Sequence, residues 1–387
     1  MPKIAHIISS LHTGGAETML LRLLRRMNRS CFQPVVVSLV RGGSLEAEIG
    51  ALGIPLYHAG MQQGRLSVSG FARIVSVLRK EKPDLVQGWM VHGNLAAQAA
   101  SLLVSPQPRL YWAIHHSLDS FRREKPLTAS LIRLSSFLSR YPEKIVYVSH
   151  VSREQHERIG FRPGHGVVIP NGINPDLFVP REAHRTSLRE ELGLPADALL
   201  IGLIGRFHPQ KNHAGFLEAM KKVVALHPEA RVIFAGSEME ADNEEVLVLV
   251  RASGLDKAVF LLGERRDMER INAALDIAVS ASSFGEAHSL AIGEAMACAV
   301  PCVVTNVGDN GLLVGDTGIV VAPNDTEGLT RGCLSLIRLG SAGRQALGAR
   351  ARERITGHFS LSKAVSNYEN LYSTSLSGKE GNGLCVA

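Results

Sequence analysis

Aromatic residues make up only 5% of this 387-residue chain, and two of them are tryptophan. With so few stacking side chains and no recognised nucleic-acid module, nucleic acid is not expected as a partner. No apolar run approaches the roughly 18 to 20 residues that a membrane span requires. Cysteine is scarce as well: Cys31, Cys298, Cys302, Cys333 and Cys385 are an odd number without regular spacing, which argues against a disulfide framework. Cys298 and Cys302 lack a second Cys/His pair at zinc-finger spacing and read as buried thiols. Nothing at the start of the sequence resembles a secretion signal, so a reducing cytoplasm is the expected compartment.

Glycine is plentiful, with 37 residues, and apolar residues reach 45%, the composition of an ordinary α/β protein. The length accommodates two domains, each with its own core. The net charge of +6 is unevenly placed. Residues 1–170 hold 21 Lys+Arg against 10 Asp+Glu, and the remainder 21 against 26. The positive excess in the N-terminal half is either a solvated face or a surface that draws anionic partners such as an anionic membrane.

Short β-rich runs alternate with helical stretches. In the first half the runs are 3–11, 34–40, 84–90, 109–116 and 144–149. Between them "AETMLLRLLRRM" (16–27) carries Met19, Leu20, Leu23, Leu24 and Met27 on one stripe. After the turn-rich "VVIPNGINPDLFVP" (167–180) the pattern restarts at 199–207, 230–237, 258–264, 276–282 and 301–307. This alternation predicts two α/β domains, each a parallel sheet covered by helices. They are placed at 1–170 and 197–359, with a linker over 171–196. A last helix over about 360–376 is free to pack anywhere, the first domain included, and 377–387 reads as a disordered tail.

In open parallel sheets ligands bind beyond the carboxyl ends of the strands, so the loops after strands matter most. The first, "HTGGAE" (12–17), sets Gly14 and Gly15 before a helix, where converging backbone N–H groups can meet an anion; a tight turn explains the pair equally well. The second, "GRFHPQKN" (205–212), puts Arg206 and Lys211 across a turn from each other, able to reach one diphosphate or to sit as ordinary surface cations. The third, "FGEAHSLAIGEAMA" (284–297), places Glu286 near a predicted helix start and Glu294 two turns along it. Eight helical residues span roughly 12 Å, too far for acid–base work on one atom but suited to gripping separate hydroxyls of a long ligand. A dipole-favoured acid at 286 with an exposed one at 294 is the alternative.

In their order these segments resemble the family 4 retaining glycosyltransferases of the GT-B fold. The likeness is carried by "GGAE" (14–17), "KPD" (82–84), "VIPNGI" (168–173), "GRFHPQKN", Glu286-x7-Glu294, "AMACAVPCVVTNVG" (295–308) and "GDTGIVVAPND" (315–325). It implies two Rossmann-like domains whose parallel sheets face each other across a nucleotide-sugar cleft, the donor on the C-terminal side and the acceptor on the N-terminal side. It further implies that Gly14 and Gly15 approach the donor diphosphate, that Arg206 and Lys211 bind it, and that Glu286 contacts the transferred sugar and Glu294 the ribose. Backbone amides of His288, Ser289 and Leu290 would help hold sugar and phosphate. His115 would lie beside the sugar, with His116 blurring the register. Arg265 and Arg266, in "GERRD" (263–267), are candidates beside the base. Two departures stand out: His288 occupies a position that is commonly aromatic, and the loop after "FAG" (234–236) continues "SEME" without its usual second glycine.

The implied reaction transfers a sugar from a nucleotide diphosphate donor, UDP or GDP first, with retention. Neither metal nor cofactor is expected, since D-x-D is absent. The acceptor would be a glycan or lipid-linked molecule of surface polysaccharide or lipopolysaccharide synthesis, reached from the cytoplasm or the inner face of its membrane. "PLTASLIRLSSFLSRY" (126–141), with Leu127, Leu131, Leu134 and Leu138 on one stripe, either lies in that interface or packs on its own domain. A soluble small-molecule acceptor, a nucleotide-sugar epimerase and a non-catalytic partner of another transferase are the rivals.

Overall fold

The computed structural model describes residues 1–377 apart from 63, 64 and 66. Beyond Ser377 the expected tail lies outside the described residues. The chain divides into two compact units, Met1–Gly172 with the segment from Leu361 onward, and Ile173–Ser360.

Among its described residues the first unit holds seven strands, β1 (Lys3–Ile8), β2 (Gln33–Val40), β3 (Leu56–Met61), β4 (Leu85–Trp89), β5 (Arg109–Ile114), β6 (Lys144–Tyr147) and β7 (Gly166–Val168). They form a parallel sheet in the order β3-β2-β1-β4-β5-β6-β7. Period-two alternation divides each strand between two cores. Ile4, Ile8, Leu85 and Tyr111 face one cluster, and Ala5, Ile7, Val86 and Trp112 the other, so both faces are covered and strands such as β4 are buried throughout. The helix Gly15–Arg26 supplies Met19, Leu20, Leu23 and Leu24 to the first cluster. So does the final helix, Leu361–Leu376, whose Leu361, Val365, Tyr368, Tyr372 and Leu376 recur every three to four residues. Its Tyr372 hydroxyl donates to Gln87 Oε1 at 2.6 Å. The edge strands β3 and β7, absent from the sequence reading, are partly exposed and carry little apolar signal.

The second unit holds β8 (Leu199–Ile204), β9 (Ala230–Ala235), β10 (Val259–Leu261), β11 (Ile277–Ser280), β12 (Cys302–Thr305) and β13 (Ile319–Val321), again parallel, in the order β10-β9-β8-β11-β12-β13. Residues 173–196, expected as a linker, belong to this unit. Ile173, Phe178 and Leu188 are buried in its core, and 182–191 forms a helix (Glu182–Glu191). The buried Arg189 of that helix donates to the carbonyls of Ala274 and Ala198 and to Asp276. The sequence signal was weak because the segment is polar and anchored by an arginine rather than by an apolar stripe.

In both sheets the first strand lies in the interior and the order reverses beside it, between β1 and β4 and between β8 and β11. Ligand crevices of doubly wound sheets open beyond the carboxyl ends of strands at such points.

Candidate active site

The loops that leave β8 and β11 meet at the reversal point of the second unit. Lys211 closes a short 3-10 turn (Pro209–Lys211) that His208 caps through its side chain. Asn212 follows with φ +53 and caps the next helix through Gly215 N–H. The Lys211 stem folds back over Gly205, where a Cβ would stand 3.2 Å from Lys211 Cε. Gly236 (φ +147) is needed beside it, because a Cβ there would lie 2.4 Å from the Gly205 carbonyl oxygen. Ser283 N–H donates to the Gln210 carbonyl at 2.8 Å and joins the two loops.

Across this junction Lys211 Nζ donates to Glu286 Oε2 at 2.5 Å, and Ser282 Oγ donates to the same oxygen at 3.1 Å. Burial pushes the Glu286 carboxyl up, but the charge and hydrogen bond of Lys211, with the Ser282 hydroxyl, outweigh it and hold the group below its usual range. Arg206, on the same loop as Lys211, is exposed. Ser289 caps the helix Leu290–Ala297 through Ile292 N–H, so the amino end of that helix follows directly on Glu286 and His288. The His288 imidazole, buried against Phe359 at 5.4 Å between ring centroids, is pushed down to about 4 by burial despite the charge of Glu286.

Glu286 lies in the turn before the helix, as expected, because Gly285 (φ +70) turns the chain and Ser289 sets the helix start. Glu294 is the fifth helical residue, one turn in rather than the expected two, and at 7% exposure it is buried, which excludes the alternative of a surface acid. Arg265 is committed elsewhere: it makes a two-pronged contact with Asp267 and a further one with Glu191. Arg266 remains exposed on that loop. The missing glycine after "FAG" leaves a trace, since Glu238 adopts φ +63 in its place.

In the first unit Gly14 begins the helix Gly15–Arg26 just beyond β1. A Cβ on Gly15 would meet nothing within 4 Å, so open space adjoins that backbone. His115 follows β5 directly and stacks on Trp89 at 5.1 Å, while Trp89 Nε1 donates to His6 at 3.1 Å. Burial drives the His115 imidazole down to about 3 against the opposing effect of a hydrogen bond to Asn171, which makes it neutral at pH 7. His116 turns instead to His156, 5.1 Å away. Ser282, Trp89 and Asn171 were not singled out from sequence. Only Asn171 left a signal there, as part of "VIPNGI".

This fold is shared with solved glycosyltransferase structures. The crystal structure of HepE from Anabaena in complex with UDP and glucose is 20% identical and matches over 97% of this chain and 100% of that one, with a TM-score of 0.84. Sucrose-phosphate synthase from Thermosynechococcus elongatus, 17% identical, matches over 98% and 100% with a TM-score of 0.80. The fold is GT-B. Residues 13–177 match Glycosyltransferase Family 4 and residues 198–338 match Glycosyl transferases group 1; the chain belongs to this glycosyltransferase family. Among its relatives, the N-acetyl-alpha-D-glucosaminyl L-malate synthase of Bacillus anthracis is 25% identical over 78% of this chain and 77% of its own length. The UDP-Gal:alpha-D-GlcNAc-diphosphoundecaprenol alpha-1,3-galactosyltransferase of Escherichia coli is 26% identical over 77% of each.

Proposed function

We propose that this chain transfers a sugar from a nucleoside diphosphate sugar, with retention and without a metal ion, to a glycan or lipid-linked acceptor of surface polysaccharide or lipopolysaccharide synthesis. The observation that carries the donor half is the Lys211–Glu286 pair at the reversal point of the second sheet, with Arg206 exposed on the same loop. UDP is the favoured carrier: it occupies HepE and is named in the galactosyltransferase of E. coli. The diphosphoundecaprenol in that relative's name supports a lipid-linked acceptor.

In the reaction the acceptor oxygen bonds to the anomeric carbon on the face from which the phosphate leaves. The bond between that carbon and the β-phosphate oxygen breaks, and the acceptor proton passes to the departing oxygen. Lys211 and Arg206 stabilise the growing charge, aided by the amides at the start of the helix Leu290–Ala297. Glu286 accepts from hydroxyls of the sugar and Glu294 from the ribose. His115, neutral at pH 7, can present a hydrogen bond rather than a charge beyond the carboxyl end of β5. NMR analysis of the product formed from UDP- and GDP-sugars in EDTA tests this. A retained anomeric configuration supports the proposal, whereas inversion or a strict need for a divalent cation refutes it.

The membrane half rests on the helix Pro126–Leu138. Leu131 and Leu138 pack on their own unit, splitting the expected leucine stripe, while Leu127 at 55% and Phe137 at 62% exposure remain outside with Leu134. Arg140 lies over the Phe137 ring at 3.8 Å and Arg133 over Phe121 at 4.3 Å. Apolar tips ringed by guanidinium groups match an anionic lipid surface. Sedimentation with anionic vesicles at low salt should recover the protein, and recovery no better than with neutral vesicles would remove this half. A soluble acceptor is the second reading, favoured by the L-malate relative; product analysis with both acceptor types separates the two.

A further inference from the structure

Within the second unit, a cavity of about 550 Å³ opens at the amino ends of β11 and β12, the opposite end of the sheet from Lys211 and Glu286. Its volume falls within the roughly 300–1,000 Å³ of small-molecule sites. Leu275, Val300 and Pro301 supply apolar lining, and Ser341 and Gln345 add polar groups.

The charge of this cavity is unbalanced. Asp276, at its wall, receives Arg185 at 2.8 Å on one carboxylate oxygen and the buried Arg189 at 2.9 Å on the other, with Arg344 at 3.8 Å. One carboxylate therefore serves three guanidinium groups. Arg181 adds a fourth; it is exposed and has no ion pair among the described residues. Glu182 is the only other acid in the lining. Three arginines, Arg181, Arg185 and Arg344, line the cavity against two acids, and the uncompensated charge is that of the exposed Arg181, set beside the apolar lining where an anion can reach it. A phosphate monoester, with close to two negative charges and three terminal oxygens, matches several guanidinium forks better than a single carboxylate does. The volume leaves room for a body of sugar size beside Ser341 and Gln345.

We propose that this cavity is a binding site for a small organic phosphate, separate from the donor site. The proposal does not depend on which nucleotide sugar the donor site takes. The test is calorimetric titration of the full chain with glucose 6-phosphate, glucose and inorganic phosphate, beside UDP. It uses the wild type, Arg181→Glu, and Arg181→Glu with Arg344→Gln. Glucose 6-phosphate should bind more tightly than inorganic phosphate, and glucose not at all. Arg181→Glu should weaken the ester at least about tenfold and the double variant further, with UDP affinity unchanged in the single variant as a check on folding. Loss of UDP binding in the wild type with ester binding kept would count against the donor reading and leave this proposal standing. The proposal is overturned if no saturable ester binding appears up to about 10 mM, if inorganic phosphate binds as tightly as the ester, if UDP displaces the ester competitively, or if Arg181→Glu leaves ester binding unchanged.

Discussion

Replacing each partner of the Lys211–Glu286 pair separates two roles that one contact combines. The two side chains are 18% and 12% exposed and 2.5 Å apart. Breaking a fully buried pair costs about 3–5 kcal/mol; because both groups keep some contact with water, about 2 kcal/mol is the better figure here. Lys211→Ala should lower unfolding free energy by about that amount, since it leaves the Glu286 carboxylate without its cation. The carboxyl, held below its usual range by Lys211 despite burial, would then titrate higher. Because the folded value is depressed, this stabilisation is present above the unfolded value of about 4.5 and is lost as pH falls through the folded one, so the variant should show a shallower loss on acidification.

On nucleotide the two variants should diverge. Lys211→Ala forfeits a charge-assisted hydrogen bond worth about 1.5–3 kcal/mol, which weakens UDP about tenfold to about a hundredfold. Glu286→Gln keeps an acceptor for Ser282 but releases the ammonium from its internal partner, so UDP should bind at least as tightly as in the wild type. Sugar transfer should nevertheless fall about tenfold or more in that variant, as the sugar hydroxyls lose a charged acceptor. Chemical denaturation, calorimetry with UDP and transfer rates read the three quantities. If Glu286→Gln loses UDP as severely as Lys211→Ala, the pair is a single structural unit and the assigned division of labour is wrong.

His6 is fully buried, accepts from Trp89, and is pushed down to about 3. Its stabilisation is therefore complete above about pH 6.5 and declines by about 1.4 kcal/mol for each pH unit below it; wild type should lose about 2 kcal/mol more than His6→Gln between pH 7 and pH 5 in denaturant melts, and equal losses would contradict this. Glu238 at φ +63 carries about 1–2 kcal/mol of left-handed strain, and Glu238→Gly should raise stability by about 0.5 kcal/mol after the added chain entropy of glycine; a lower denaturation midpoint would refute that. Tyr372→Phe, which leaves Gln87 Oε1 without the tyrosine hydroxyl, should cost about 1–2 kcal/mol, and an unchanged midpoint would count against the C-terminal helix as an anchored part of the first unit.

Legibility from sequence followed the strength of local pattern. Interior strands such as β1, β4 and β8, buried on both faces, appear as short apolar runs, and the stripe from Met19 to Met27 marks its helix directly. Edge strands β3, β7 and β13 do not, since partial exposure admits His58, Gly60 and Gly166 and dilutes the alternation. Lys211 and Glu286 were each visible as candidates, but their contact was not. Seventy-five residues separate them, and it is the pairing of β11 beside β8 that joins their loops. The turn at Glu286 and the helix after it were legible, but Glu294 sits one turn into that helix rather than two, because the Ser289 cap puts the helix start after Glu286. Arg265 could not be told from Arg266 in sequence, because its partner Glu191 lies on a helix that itself was read as linker.

The most direct test of the donor site is calorimetric titration of the purified protein with UDP, GDP and ADP in buffer containing EDTA, beside Arg206→Ala and Glu294→Ala. The account predicts tight binding of one nucleotide, UDP first, weakened in both variants while each remains folded. Binding that survives both substitutions unchanged, or that appears only when a divalent cation is restored, would contradict it.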